Sequence, residues 1–175
     1  MKSKSLLLLI CVFTLISRIH SQTKEERVKE IKAMYADVMK LEKSEGFKNC
    51  NKKTEFETEQ NTEFQQKAMK CNYSNNYSIA VGEFSGWEWD AKTIFYYKNK
   101  KLFFVFVKQN AEACATEFRV YYDNSETPIK YLEKTNDCSG DDPSKQTEVK
   151  DQSRKNEISK LLKDDLAKIN RILKN

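Results

Sequence analysis

The stretch Ile94–Val107, IFYYKNKKLFFVFV, decides how this chain folds. Two runs rich in aromatic and β-branched residues flank Lys98-Asn99-Lys100-Lys101, which has the chemistry of a tight antiparallel hairpin. A two-residue loop at Asn99-Lys100 pairs Tyr97 with Leu102 and Phe95 with Phe104. One face of the ribbon then carries Phe95, Tyr97, Leu102, Phe104 and Phe106. The other carries Ile94, Tyr96, Phe103, Val105 and Val107. Both faces are apolar, whereas a half-exposed antiparallel sheet alternates apolar with polar. Each face therefore needs a cover: a helix, a partner chain or a ligand.

Further strands lie on either side of this ribbon. Ile79–Phe84 and Trp87–Tyr97 precede the turn, and Leu102–Lys108 follows it. Thr116–Asp123 and Ile129–Lys134 then form a second hairpin around Asn124-Ser125-Glu126-Thr127-Pro128. Nearer the ends the period changes. Over Lys24–Ser44, the residues Val28, Ile31, Tyr35, Val38 and Leu41 recur three and four apart, and Gly46 is a natural stop. Over Asp151–Lys174, one stripe holds Ile158, Leu161, Leu162, Leu166, Ile169, Ile172 and Leu173. The polar stretch 47–78, punctuated by Phe56 and Phe64, is read with a second helix over about 57–70. Residues 139–150 (SGDDPSKQTEVK) read as a polar linker. The expected fold is α+β: an antiparallel meander of about five strands packed with an N-terminal and a C-terminal amphipathic helix. The helices cover the sheet one per face or both on one side.

The chain opens with Lys2 and Lys4, then an apolar run from Leu6 to Ile16 broken only by Thr14, then Ser21 and Gln22. That is the pattern of a secretory signal peptide, and the run is too short to span a bilayer. Residues 1–22 are read as the leader and 23–175 as a single domain, secreted or periplasmic. The leader holds Lys2, Lys4 and Arg18 and no acidic residue, so the formal charge falls from +5 to +2 without it. A nearly balanced domain is not a nucleic-acid binder. The leader also takes the sole histidine, His20, and with it the usual general base and the usual metal ligand.

Cys11 leaves as well, and Cys50, Cys71, Cys114 and Cys138 remain. Four cysteines in an exported chain read as two disulfides. Facing residues of an antiparallel hairpin have a constant index sum. A turn centred near Ser125 or Glu126 places Cys114 opposite Cys138, just beyond the hairpin's open end. Cys50–Cys71 follows by elimination. A zinc site from the four thiolates is disfavoured, since no C-x2-C pair exists.

Without histidine or free thiol, carboxylates are the surviving catalytic candidates. Glu83, Glu88 and Asp90 lie among aromatics in EFSGWEWD, which carries the alternative of a carboxylate-dependent carbohydrate-active enzyme. Four scattered glycines build no phosphate cradle, and no metal or other cofactor is expected. The two tryptophans, Trp87 and Trp89, either cap one end of the core or serve as a stacking surface for a sugar or an anchor for a protein partner. With Tyr96 and Phe103 they form the candidate lining of a ligand site, should one sheet face stay open. A third alternative is a structural homodimer closed over an apolar sheet face.

The segments FYYKNKKLFFVF (95–106) and EFRVYYDNSETPIKYL (117–132) resemble paired aromatic hairpins in small uncharacterised exported proteins of Bacteroidota. The resemblance covers roughly residues 94–132. It departs where lysine replaces the first turn's glycine and where the second turn has none. It implies an envelope location and supplies no active residue. The resulting expectation is an exported, disulfide-stabilised, non-enzymatic binding or interaction protein, with an unknown protein, small-molecule or glycan partner.

Overall fold

The computed structural model describes residues 22–59, 62–111, 114–135 and 145–175. Helix α1 spans Lys24–Glu45 and starts at a capping box. The Thr23 side chain accepts from the Glu26 amide at 3.2 Å, and the Glu26 carboxylate accepts from the Thr23 amide at 2.9 Å. Two orphan donors of the first turn are thereby satisfied. Gly46 ends the helix at φ +61°, a left-handed conformation that glycine adopts without steric cost. Helix α2 spans Gln152–Lys174, with the Asp151 carboxylate accepting from the Arg154 amide.

Between the helices, eight strands among the described residues form one antiparallel sheet in which each pairs with the next. They are β1 (Cys50–Glu59), β2 (Thr62–Asn72), β3 (Tyr77–Ser85), β4 (Trp89–Lys98), β5 (Lys101–Ala111), β6 (Cys114–Tyr122), β7 (Pro128–Thr135) and β8 (Thr147–Glu148). The sheet is larger than the expected five strands, for two reasons. The stretch read as a second helix over 57–70 is instead the β1–β2 hairpin. Its polar residues hide the period of two, because an edge ribbon buries little apart from Gln66, Ala68 and Cys71. The end of the expected linker 139–150 is also structured. Thr147–Glu148 pairs with β7, and the amide of buried Val149 donates to the Tyr131 carbonyl.

Cys50 and Cys71 are direct cross-strand partners at the end of the β1–β2 ladder and are joined by a disulfide. Cys114 begins β6. Cys138 lies outside the described residues, and with it the expected Cys114–Cys138 bond. The leader, except for Gln22, lies outside them too.

The β4–β5 hairpin turns at Asn99-Lys100, both with positive φ, the backbone of a type I′ turn. Tyr97 faces Leu102 as expected, but the register then shifts: Tyr96 faces Phe104 and Phe95 faces Val105. Phe103 is left without an opposite residue, as at a β-bulge. The expected pairing of Phe95 with Phe104 is thus corrected by one residue, and the two faces are redistributed. Ile94, Tyr96, Phe103, Phe104 and Phe106 pack with Ile31 and Val38 of α1. Phe95, Val105 and Val107 pack with Ile158, Leu162, Ile169 and Ile172 of α2. Successive strand residues point to opposite faces, so the helices cover one face each. Burying each such aliphatic side chain contributes about 1.5–3 kcal/mol.

Helix α2 approaches the sheet closely at Gly82. A Cβ there would stand 2.9 Å from the Ile169 side chain and 2.6 Å from the Phe84 ring. Beside it, buried Thr93 donates to the buried Asp165 carboxylate at 2.5 Å. The helices are also fastened to distant strands. Arg27 donates to the Tyr122 carbonyl at 3.1 Å, Lys24 pairs with Glu148, Arg154 with Glu133 and Arg171 with Glu57.

Candidate binding site at the tryptophan tip

The β3–β4 turn, Ser85-Gly86-Trp87-Glu88-Trp89, carries both tryptophans at one end of the sheet. The Gly86 amide donates to the Trp89 carbonyl at 3.0 Å and closes the turn. A side chain at Gly86 would meet the Trp89 indole nitrogen at 2.6 Å, so the ring occupies the space that glycine leaves. Trp89 also packs against Phe64 of β2, with ring centroids 6.4 Å apart, and is 42% exposed. Trp87 is 86% exposed. A tryptophan normally buries most of its surface, so this exposure is the anomaly of the surface.

Two of the polar groups that line the same depression as the rings hold each other in place. Ser85, Asp90 and Asn110 are successive neighbours across β3, β4 and β5. Asn110 donates its amide to one Asp90 carboxylate oxygen at 2.8 Å, which orients both side chains. Together with Glu88 these residues border an open depression of about 500 Å³. It contains two acidic residues and no basic one. An aromatic platform sharing its depression with an oriented amide–carboxylate pair can stack an apolar ring face and hydrogen-bond its polar edge.

Tyr96 and Phe103 stand elsewhere. They are 2% and 1% exposed beneath α1, where Tyr96 packs edge-on to Tyr35 at 5.3 Å and Phe103 contacts Tyr77. Tyr96 is seven residues along β4 from Trp89, about 23 Å at the rise of a strand. The structure thus brings Trp87 and Trp89 together and leaves Tyr96 and Phe103 in the core. Burial and the neighbouring Tyr35 raise the Tyr96 phenol far above its ordinary value. Phe64, Gly86 and Asn110 join the site although sequence reasoning does not single them out. The helix reading of its segment conceals Phe64, and only its alternation with Gln66 and Ala68 points to a strand.

Two of the three carboxylates proposed for catalysis have partners, and Glu88 is exposed in the turn. Glu83 is half-exposed and paired with Lys92 at 2.8 Å, and Asp90 accepts from Asn110. Neither has the apolar enclosure that prepares a carboxyl group as a general acid. Among the described residues, no helix is long and apolar enough to cross a membrane. No family model, curated protein or solved structure matches this chain.

Proposed function

We propose that this chain is an exported, non-enzymatic binding protein that takes a neutral sugar on the Trp87–Trp89 tip. The observation that carries the reading is the exposure of Trp87 beside a Trp89 ring locked by Gly86 and Phe64. Stacking on a fixed indole forfeits little conformational entropy. The Asp90–Asn110 pair and Glu88 offer hydroxyl partners, and their negative charge disfavours anionic glycans and anionic lipid surfaces. The cross-strand Cys50–Cys71 disulfide suits a secreted or periplasmic location, with Cys114–Cys138 as the second staple.

A panel of neutral and uronic oligosaccharides, read by tryptophan fluorescence, tests this. Neutral sugars should bind, and Trp87→Ala should weaken them by about tenfold or more at unchanged melting temperature, since stacking on an aromatic ring is worth about 1–3 kcal/mol. Binding to zwitterionic vesicles with no response to any sugar would overturn the glycan reading in favour of a membrane anchor.

A further inference from the structure

A second concavity lies on the sheet face that α1 covers, at the end of that helix. The helix stops at Glu45, and the chain turns through Phe47 into β1, so the sheet beyond is only partly roofed. Register places Met69 and Val81 side by side there, with Lys52 next to Met69 on β1. The following row runs Lys67, Glu83, Lys92 across β2, β3 and β4. A cavity of about 380 Å³ opens between these rows, with Met69 and Val81 as its floor and Phe47, itself half-exposed, as its wall. Lys52, Lys67 and Lys92 all line it.

The charges at this rim do not cancel. Lys92 is paired with Glu83 at 2.8 Å, and Glu42 of α1 also feels the Lys92 charge. Lys52 lies over the Phe47 ring at 4.6 Å. Among the described residues, Lys52 and Lys67 have no ion-pair partner. The cavity therefore joins an apolar floor to ammonium groups with charge to spare, at a volume in the usual range of small-molecule sites.

We infer that this groove binds a free single-chain amphipathic carboxylate, with the tail along Met69 and Val81 against Phe47 and the head between Lys67 and Lys52. The charge is the wrong sign for an amphipathic amine, and a neutral chain would leave the rim lysines unanswered. This site is separate from the tryptophan tip, and the inference does not depend on the sugar reading.

Decanoate, below its micelle concentration, is the probe, with decanol as its uncharged counterpart. Binding to the disulfide-intact chain is measured by calorimetry and by amide NMR shifts. Decanoate should bind saturably, shift the amides of Phe47, Met69 and Val81, and weaken as salt is added. The exposed double variant Lys52→Glu/Lys67→Glu should lower decanoate affinity by about tenfold and leave decanol within about twofold, the scale of exposed charge pairs. Phe47→Ala should weaken both probes, and Trp87→Ala neither. Equal affinity for decanol and decanoate, or indifference to the charge reversal, would overturn the carboxylate assignment. No binding at millimolar decanoate, or shifts confined to the tryptophan turn, would remove the site altogether.

Discussion

Asp165 is a carboxylate placed on the buried face of α2, 4% exposed, with Thr93 donating to it across the helix–sheet interface. Burial raises its pKa above the ordinary value; the Thr93 hydroxyl and Lys168 oppose that rise, and Asp164 adds to it. Because the folded value lies above the unfolded one, the native state keeps this proton where the unfolded chain has released it. The contribution to stability is fully present below the ordinary aspartate range and is lost as pH rises through the raised value. Asp165→Asn keeps the shape and an acceptor for Thr93 but cannot ionise. In urea unfolding, the variant should gain on its parent as the pH rises from the ordinary aspartate range through the raised value. A stability difference that stays flat across that range would refute the linkage. Glu26, Glu30, Glu57 and Glu148, whose pKa values are lowered by hydrogen bonds or cationic neighbours, act in the opposite sense. The comparison with the variant therefore isolates Asp165.

Among the elements, the β1–β2 hairpin is the one least supported by its own side chains. Its outer strand is largely exposed, and among the described side chains only Gln66, Ala68 and Cys71 are buried, with Cys50 and Met69 partly so. Arg171 of α2 reaches across to Glu57 at 2.8 Å and to Gln66 at 3.0 Å, holding the ribbon against the helix end. The Cys50–Cys71 disulfide closes the opposite end of the ladder, over a sequence separation of 21. Cys50→Ser together with Cys71→Ser should cost about 3 kcal/mol in denaturant unfolding, by loop-closure entropy. Hydrogen exchange should then rise first in β1 and β2. A loss below about 0.5 kcal/mol would mean that the ribbon is held by α2 and not by the bond. This hairpin also marks where the residues conceal the fold. The cysteines announce a cross-link, yet a polar edge ribbon shows no apolar period, so the pattern predicts a helix where two strands lie. The bulge at Phe103 is equally hidden, since uniformly apolar runs such as LFFVFV have no polar residue to mark a register change.

At the scale of the whole molecule, a sequential meander is enclosed by the two ends of its own chain. Helix α1 reaches from Glu148 on β8 to the β2–β3 turn, where Glu45 accepts from Ser74. Helix α2 reaches from Glu133 on β7 to Glu57 on β1. Each helix thus ties late strands to early ones, which the sheet's neighbour-to-neighbour pairing does not do. Each helix covers one apolar face of the sheet, α1 leaving the end around Met69 and Val81 partly open. Ending the chain after Lys150 should uncover Phe95, Val105, Val107 and Val120. The truncated protein should bind a hydrophobic dye strongly and self-associate in sedimentation, as large exposed apolar patches do. A truncated chain that remains a dye-silent monomer would show that α2 is dispensable for closing the core.

The residues alone set the α+β class, the two amphipathic helices, the positions of both central hairpin turns and the Cys50–Cys71 pairing. The first three follow from local periodicity and turn chemistry, each readable within a short window, and the pairing follows by elimination among the four cysteines of 23–175. The tertiary structure alone decided which helix covers which face, because both faces of IFYYKNKKLFFVFV are equally apolar and only the bulge sorts them. It also decided which aromatics are available for binding. Tyr96 and Phe103 belong to the same aromatic class as Trp87 and Trp89, but burial depends on where α1 lies, and no window of sequence contains both the helix and the strands it covers.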